Sequence, residues 1–425
     1  MTRVRAFGAD TFRSLRSRNH RRFFIGQALS QNGTWMQLVA IDLLVLRLTN
    51  DGLAVGLATA ARLAPILLLG PWAGVLSDRS DRHKLLLALN VAGAVVAAVF
   101  ATMVATGAAS LGWIFVLAAA SGTVTALENP ARRAFVVELV DEADVTNAVG
   151  LNSAMFTGAK VVGPAIAGVL ITTVGISWCF AINAVSYLPQ VWTLSRLDRS
   201  KFRSTGRVSK AKGQLREGFR YMWSNTELRL PLLLVTAVGI MTLNYPVILQ
   251  LFAQRDLGSG EGSYTLLLSV MSVGSVVGGL AIARRTEVRT RFLALATLAL
   301  GVASFALAAA PSVATAALLT IPVGVATMLV NSGANTIVQL SAAPEMRGRV
   351  LAMLTVVFIG SAPIGAPIVG LIAEHAGARF ALTVGGVTAA LAALATLRAL
   401  QRAEARAEHD ATLEPATGSI PVAAA

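Results

Sequence analysis

The residues able to do chemistry in this chain are the few ionisable and amide side chains that interrupt long apolar runs. Two carboxylates, Asp42 and Glu128, and two cations, Arg62 and Lys160, fall inside or at the edge of such runs. An ionisable group placed in hydrocarbon costs on the order of 3 kcal/mol on insertion scales, so each is a functional candidate by default. Gln31, Trp35, Leu38 and Asp42 are spaced by 4, 3 and 4 and share one helical face. Arg62 lies at a comparable depth in the next run, which predicts an Asp42–Arg62 pair. Such a carboxylate serves either as a proton carrier or as half of a fixed ion pair. Lys160 shares a face with Ser153, Thr157 and Pro164. It can hold an anionic substrate, pair with Asp42 or Glu128, or bond to backbone carbonyls. Glu128 stands four residues before Arg132, which predicts an i,i+4 ion pair with a structural role ahead of proton transfer. Asn152, Asn244 and the i, i+4, i+8 series Asn331, Asn335, Gln339 can line a pathway. Amides also bond between membrane helices, at roughly 0.6 kcal/mol each.

Other chemistries are excluded by what is missing. The lone cysteine, Cys179, forms no internal disulfide framework, and His20, His83, His375 and His409 show no metal-ligand spacing. There is no Gly-x-x-x-x-Gly-Lys-Ser/Thr loop for ATP, and no spaced nucleophile or pair of catalytic carboxylates beside the apolar runs. The expectation is therefore no catalytic residue, no metal and no cofactor.

The elements that must position these side chains follow from composition. Of 425 residues 55% are hydrophobic and 14% charged, and the mean hydropathy is +0.66. A soluble domain carries about 25% charged residues, so this is an all-α integral membrane protein rather than a soluble one. Crossing the ~30 Å hydrocarbon core takes roughly 20 apolar residues in a helix, because every backbone group there must be paired internally. Twelve runs meet that need, near 23–46, 54–76, 84–105, 110–128, 147–172, 176–195, 230–253, 264–283, 290–309, 314–340, 349–373 and 379–398. The first follows an Arg-rich lead without a small-residue cleavage site and reads as a retained helix. With the N-terminus inside, 31 of the 36 Lys and Arg residues fall on the cytoplasmic side, three (Arg47, Arg255, Arg379) outside, and two within spans. Both termini are then cytoplasmic. The net charge of +14 reflects topology and contact with an anionic inner leaflet, not a nucleic-acid partner.

The expected organisation is a basic N-terminus over 1–22, a six-helix bundle over 23–195, a cytoplasmic linker over 196–229, a second six-helix bundle over 230–398 and a disordered cytoplasmic tail over 399–425. In the linker, Leu215, Phe219, Met222 and Trp223 recur at helical spacing. That pattern suits a helix lying on the inner leaflet or one packed on the domain. The halves repeat: a shift of 202 aligns Asn129 with Asn331, Gly163 with Gly365, Ile166 with Ile368 and Gly168 with Gly370. A shift of 204 matches Gly74-Val75-Leu76 with Gly278-Gly279-Leu280. Duplicated halves place a binding site at the midplane between them and permit alternating access.

Gly74-Val75-Leu76-Ser77-Asp78-Arg79-Ser80-Asp81-Arg82-His83-Lys84 joins the second and third spans. It closely resembles the loop signature of the major facilitator superfamily, Gly-x-Leu-Ala-Asp-Arg-x-Gly-Arg-Lys. Asp81 and His83 depart from the general pattern, and the Asp-Arg-x-Asp-Arg version resembles one exporter branch. The fifth span, with Lys160, Gly163, Pro164 and Gly168, resembles the Gly-Pro-x-x-Gly-Gly-type signature of drug:proton antiporters, with Ala167 in place of one glycine. Asn129-Pro130-Ala131-Arg132-Arg133, Ile182-Asn183-Ala184-Val185-Ser186-Tyr187, Glu217-Gly218-Phe219-Arg220-Tyr221 and Arg347-Gly348-Arg349-Val350 resemble enterobactin exporters and macrolide efflux proteins. The Arg-bearing signature of many proton antiporters is missing around Ser121-Gly122-Thr123, so the resemblance does not assign the coupling residue.

The resemblance implies a monomeric, multi-pass plasma-membrane carrier of two pseudo-symmetric six-helix bundles that exports a small organic molecule by alternating access, in exchange for protons. Drugs, antibiotics, siderophores and related metabolites are the implied substrates. Gly74, Asp78, Arg79, Arg82, Gly163, Pro164 and Gly168 are then the conformational gating residues. Asp42 and Glu128 are the proton-coupling candidates; Gln31, Trp35, Arg62, Asn152, Lys160, Asn244, Asn331 and Asn335 are the substrate-cavity candidates. A metabolite uptake symporter and a non-transporting membrane scaffold are the alternatives.

Overall fold

The computed structural model describes residues 11–203, 214–241, 244–285 and 288–413, and those residues contain helices and no strand. The tail beyond 413 and part of the linker, with their expected organisation, lie outside the described residues. The first bundle comprises α1 (Arg18–Thr49), α2 (Gly52–Arg79), α3 (Arg82–Ala105), α4 (Leu111–Glu138), α5 (Val145–Thr173) and α6 (Ser177–Ser195). A short helix, α7 (Gln214–Ser224), precedes the second group. That group comprises α8 (Thr226–Met241), α9 (Tyr245–Leu251), α10 (Glu261–Ala283), α11 (Thr290–Ala308), α12 (Val313–Ser341), α13 (Pro344–Ala376) and α14 (Ala378–Leu413). One end of the molecule carries Asn50, Val174, Asp256 and Gly377, and the other carries Asp78, Leu139 and Ser195.

The helix boundaries follow local chemistry. Ser17 accepts a hydrogen bond from the His20 amide to start α1, and Asn50 ends it in the left-handed region at φ 47°. Asp51 then accepts from the Leu53 amide at 2.7 Å and starts α2. At the opposite end Asp81 caps α3, accepting from the Lys84 amide at 3.1 Å.

Each predicted run falls in a helix, with two corrections. The run expected over 110–128 continues to Glu138 with Pro130 inside it. Proline lacks a donor and normally ends a helix, but neighbouring helices sustain it within a membrane bundle. The run expected over 230–253 is divided into α8 and α9 and ends in a π turn over Phe252–Asp256. Ten stretches of described residues are long and apolar enough to cross a membrane. α1 and α6 are long enough but more polar, because amide side chains such as Gln27, Asn32, Asn183 and Gln190 interrupt them.

The packing carries the repeat seen in the sequence. α1 packs on α5 and α6, and α2 on α4; in the second half α8 packs on α13, and α10 on α12. Gly163 sits against Trp35 Cβ and the Asn32 carbonyl of α1, whereas its repeat mate Gly365 sits against the Ile240 carbonyl of α8. The next pair joins the halves. Gly168 of α5 meets Thr265 of α10, and Gly370 of α13 meets the Gly52 carbonyl of α2. A side chain at either glycine would strike the other half.

α7 packs one face on the second half and leaves its other aromatic residues outward. Met222 is fully buried and the Tyr221 hydroxyl accepts from the Ala343 amide at 3.2 Å, while Phe219 and Trp223 stay exposed and stack on each other.

Gly370→Val should part α2 from α13, since overpacking of about 1–3 kcal/mol shifts a two-state equilibrium roughly 5- to 150-fold. The reporter is an Ala366→Cys substitution, on a fully buried residue of the same contact, in a Cys179→Ser background. Faster labelling by a water-soluble maleimide is expected, and an unchanged rate would sink this account.

Candidate functional site

A cavity of about 640 Å³ lies within the first bundle, bounded by α1, α2, α4, α5 and α6. Its lining runs from Ile41 and Arg62 toward Arg133, Val136 and Val149 near the Asp78 end. Of the sequence candidates, Gln31, Trp35, Arg62, Glu128, Asn152 and Lys160 line it. Asp42, Asn244, Asn331 and Asn335 do not. Asn244 is buried and donates to the Ile240 carbonyl at 2.9 Å, bracing the break between α8 and α9. Asn335 donates to the Asn331 carbonyl at 2.9 Å, so these two amides satisfy each other along α12.

Neither predicted intramembrane pair makes a direct salt-bridge contact among the described residues, although Asp42 still acts on Arg62 and Glu128 on Arg132 through space. Asp42 is buried where α1 meets the second half. Its carboxylate accepts from the Tyr264 hydroxyl of α10 at 3.4 Å, and its backbone carbonyl accepts from Gln250 of α9 at 2.8 Å. Arg62 faces the cavity instead. Glu128 belongs to a buried amide relay rather than to Arg132: Gln190 donates to Gln27 at 3.0 Å, and Gln27 donates to Glu128 at 3.5 Å. Arg132 donates to Asn129 at 2.7 Å and lies over the Phe156 ring at 3.7 Å. Lys160 Nζ stands 5.5 Å over the Trp35 ring.

Sequence reasoning missed Arg132, Phe156 and Gln27 as cavity and relay residues. Ending the fourth span at residue 128 left Arg132 beyond it; continuing the 3.6-residue period through Pro130 turns it inward. Gln27 lies on the α1 face one turn before Gln31, which was a usable signal.

Of the expected gating residues Gly168 meets the other half, at Thr265, and the charged ones make contacts within their own half. Arg82 ion-pairs with Asp78 at 3.5 Å and with Glu138 at the end of α4. Arg79 is exposed, and Gly74 is half-buried within α2. His83, where lysine is usual, is buried: its Nε2 faces the Leu194 carbonyl at 2.6 Å and its Nδ1 faces Arg199 at 2.9 Å. Gly163 and Pro164 are buried on α5.

At the Asn50 end polar contacts clasp the halves together. Arg47 ion-pairs with Glu261, and Arg255 ion-pairs with Glu374 at 2.8 Å while also donating to the Asn50 carbonyl. Glu374 accepts in addition from the Gly52 amide at 2.6 Å. Partial desolvation pushes the Glu374 carboxyl up, but the Gly52 amide, the Arg255 guanidinium and nearby His375 together hold it below its ordinary 4.5. Arg379 binds the Ala310 carbonyl at 2.7 Å, and its own amide donates to Asp256 at 3.1 Å. The three cations counted as outside residues are thus all structural.

Two helical bundles clasped together at one end, with a charged cavity inside the first, make the architecture of a multi-pass membrane transporter. The chain belongs to the transmembrane secretion effector family, which matches residues 9–419, and to the major facilitator type of carrier. It is 26% identical to the multidrug efflux pump Tap of Mycobacterium tuberculosis over 81% of this chain and 84% of the pump. It is 30% identical to the staphyloferrin A transporter of Staphylococcus aureus over 39% of this chain, a match that spans 42% of that relative's length. It is 27% identical to the putative bacilysin exporter BacE of Bacillus amyloliquefaciens over 61% of this chain and 65% of that protein. Among solved structures it shares its fold with the nucleoside transporter NupG, at a TM-score of 0.74 and 12% identity over 89% of this chain and 99% of that one. It shares it also with an inward-facing bacterial homologue of ferroportin, at a TM-score of 0.67 and 16% identity over 90% and 98%.

A carboxyl held low in the clasped state favours the clasp above its ordinary 4.5, and that contribution is lost as pH falls through the lowered value. Because maleimide reacts with the thiolate, the labelling rate of the Ala366→Cys reporter is divided at each pH by that of a fully exposed cysteine, and this ratio should stay flat from neutral pH to about 4.5 and rise below it. In Glu374→Gln the reporter should label faster at every pH. A wild-type rise between neutral pH and that point would refute the assignment.

Proposed function

We propose that this protein exports a small organic molecule from a bacterial cytoplasm by alternating access, in exchange for protons. The observation that carries the reading is the cavity of about 640 Å³ in the first bundle, reaching toward the Asp78 end while the Asn50 end is clasped. The bias of Lys and Arg toward the segments at the Asp78 end supports a cytoplasmic position for that end and for both termini. The arrangement is then the state that admits cargo from inside. The efflux pump and exporter names of the relatives support the outward direction.

Asp42 is the proposed proton carrier. It lies under the contact between the halves, so protonation alters the acceptor offered to Tyr264 at the surface that must part during the cycle. Glu128, held by Gln27 at the cavity wall, is the second candidate. The pair Asp78–Arg82 and exposed Arg79 stand at the cytoplasmic mouth, where the cations meet an anionic leaflet and the acidic residue fixes the turn. The exposed Phe219–Trp223 pair of α7 suits insertion into that leaflet. The lining of the cavity by one chain supports a monomeric transporting unit.

Inside-out plasma-membrane vesicles test the proposal. A substrate found by screening a deletion strain against antibiotics and siderophores should accumulate in them when a pH gradient is imposed, and accumulation should stop when the gradient is collapsed. Asp42→Asn should cut gradient-driven transport by about tenfold or more, equivalent to ~1.4 kcal/mol of lost coupling. Transport that persists without the gradient rejects proton exchange, and net flux toward the cytoplasm rejects export.

A further inference from the structure

The lining of the first-bundle cavity contains four cations, Arg62, Arg132, Arg133 and Lys160, and one carboxylate, Glu128. No direct ion-pair contact among the described residues engages Arg62, Arg132 or Lys160: Asp42 and Glu128 act on Arg62 and Arg132 only through space, Glu128 accepts from Gln27, and no carboxylate acts on Lys160. Arg132 is the strongest sign of a missing partner. It is only 3% exposed; Nη2 is used by Asn129, yet Nε and Nη1 have no acceptor. A buried charge left with open donors is costly unless something else satisfies it.

The open donors come with flat apolar surfaces beside them. Arg132 lies over Phe156 at 3.7 Å and Lys160 stands over Trp35 at 5.5 Å. Phe156 and Lys160 are four residues apart on α5, one above the other with a rise of about 6 Å. The cavity therefore presents two cation–aromatic pairs about one helical turn apart, with Arg62 beyond them toward the clasped end. A cationic cargo would meet four like charges there. A monoanion would leave one of the two inner cations unmatched.

We propose that the cargo is an organic dianion whose two acidic groups are separated by a flat or apolar body. One acidic group sits against Arg132, the other against Lys160, and the body lies between Phe156 and Trp35. The proposal rests on the transporter reading but not on the direction of transport or on proton coupling.

The test uses the purified full-length protein in nanodiscs of neutral phosphatidylcholine with no gradient. Calorimetry compares terephthalate, the monoanion benzoate and the uncharged dimethyl terephthalate. Terephthalate should bind, benzoate should bind about tenfold more weakly, and the diester should not bind, since loss of one charge-assisted contact is worth roughly a tenfold change. Arg132→Gln and Lys160→Gln should each bring terephthalate down to the benzoate level, and Lys160→Arg should restore the preference. Lys160→Gln is the safer variant, because its head group faces the open cavity, and monodisperse elution checks that both variants fold. Absence of terephthalate binding, equal binding of the diester, or unchanged affinity in both Gln variants overturns the proposal. So does loss of terephthalate binding in phosphatidylglycerol nanodiscs, which would make the site one for lipid headgroups. Vesicles that fail to respond to a pH gradient while terephthalate still binds would reject the coupling reading and leave this one standing.

Discussion

The approach of α2 to α13 and of α5 to α10 is the contact on which the described conformation depends. Gly370 lies on the Gly52 carbonyl with no side chain between the backbones, and Gly168 makes room for the Thr265 side chain of the other half. In hydrocarbon there is little hydrophobic gain from bringing helices together, and close packing of small residues supplies the attraction instead. That closeness brings the Gly52 amide to Glu374 and puts Arg255 within reach of both Glu374 and Asn50. Exposed ion pairs contribute about 0–1 kcal/mol, so the clasp adds selectivity to a contact that small residues make possible.

The same constraint explains the division of labour between the halves. Each half repeats one packing scheme, with Gly163 and Gly365 bedded on α1 and α8 respectively. Polar chemistry is not repeated. In the second half Asn244 braces a helix break, and Asn335 satisfies Asn331, so these amides are spent on structure. In the first half the amides Gln27 and Gln190 hold Glu128, and among the described residues Arg62, Arg132 and Lys160 at the cavity have no carboxylate in direct contact. A duplicated scaffold thus carries an unequal distribution of charge, and the binding site follows the charge.

Asp42 links the two features. It sits on the helix face that also carries Trp35, yet its carboxylate engages Tyr264 of the other half. A group on the cavity helix is therefore in direct contact with the surface that closes the Asn50 end.

The sequence by itself determined the helices, their grouping into repeated halves and the glycine positions where they meet. These are consequences of length, apolarity and the absence of a side chain, all of which act locally or along one helix. The charge signature at Asp78–Arg82 was legible for the same reason. The partners of the intramembrane charges were not. Depth matching suggested Asp42 with Arg62, and i,i+4 spacing suggested Glu128 with Arg132, but neither measure tells which way a side chain turns among several neighbouring helices. Only the packed bundle decided that Asp42 faces Tyr264, that Glu128 takes Gln27, and that α4 continues through Pro130 to bring Arg132 over Phe156. A buried charge is satisfied by whichever group the tertiary packing delivers to it, and that delivery depends on helix rotation and crossing, which no single run of residues encodes.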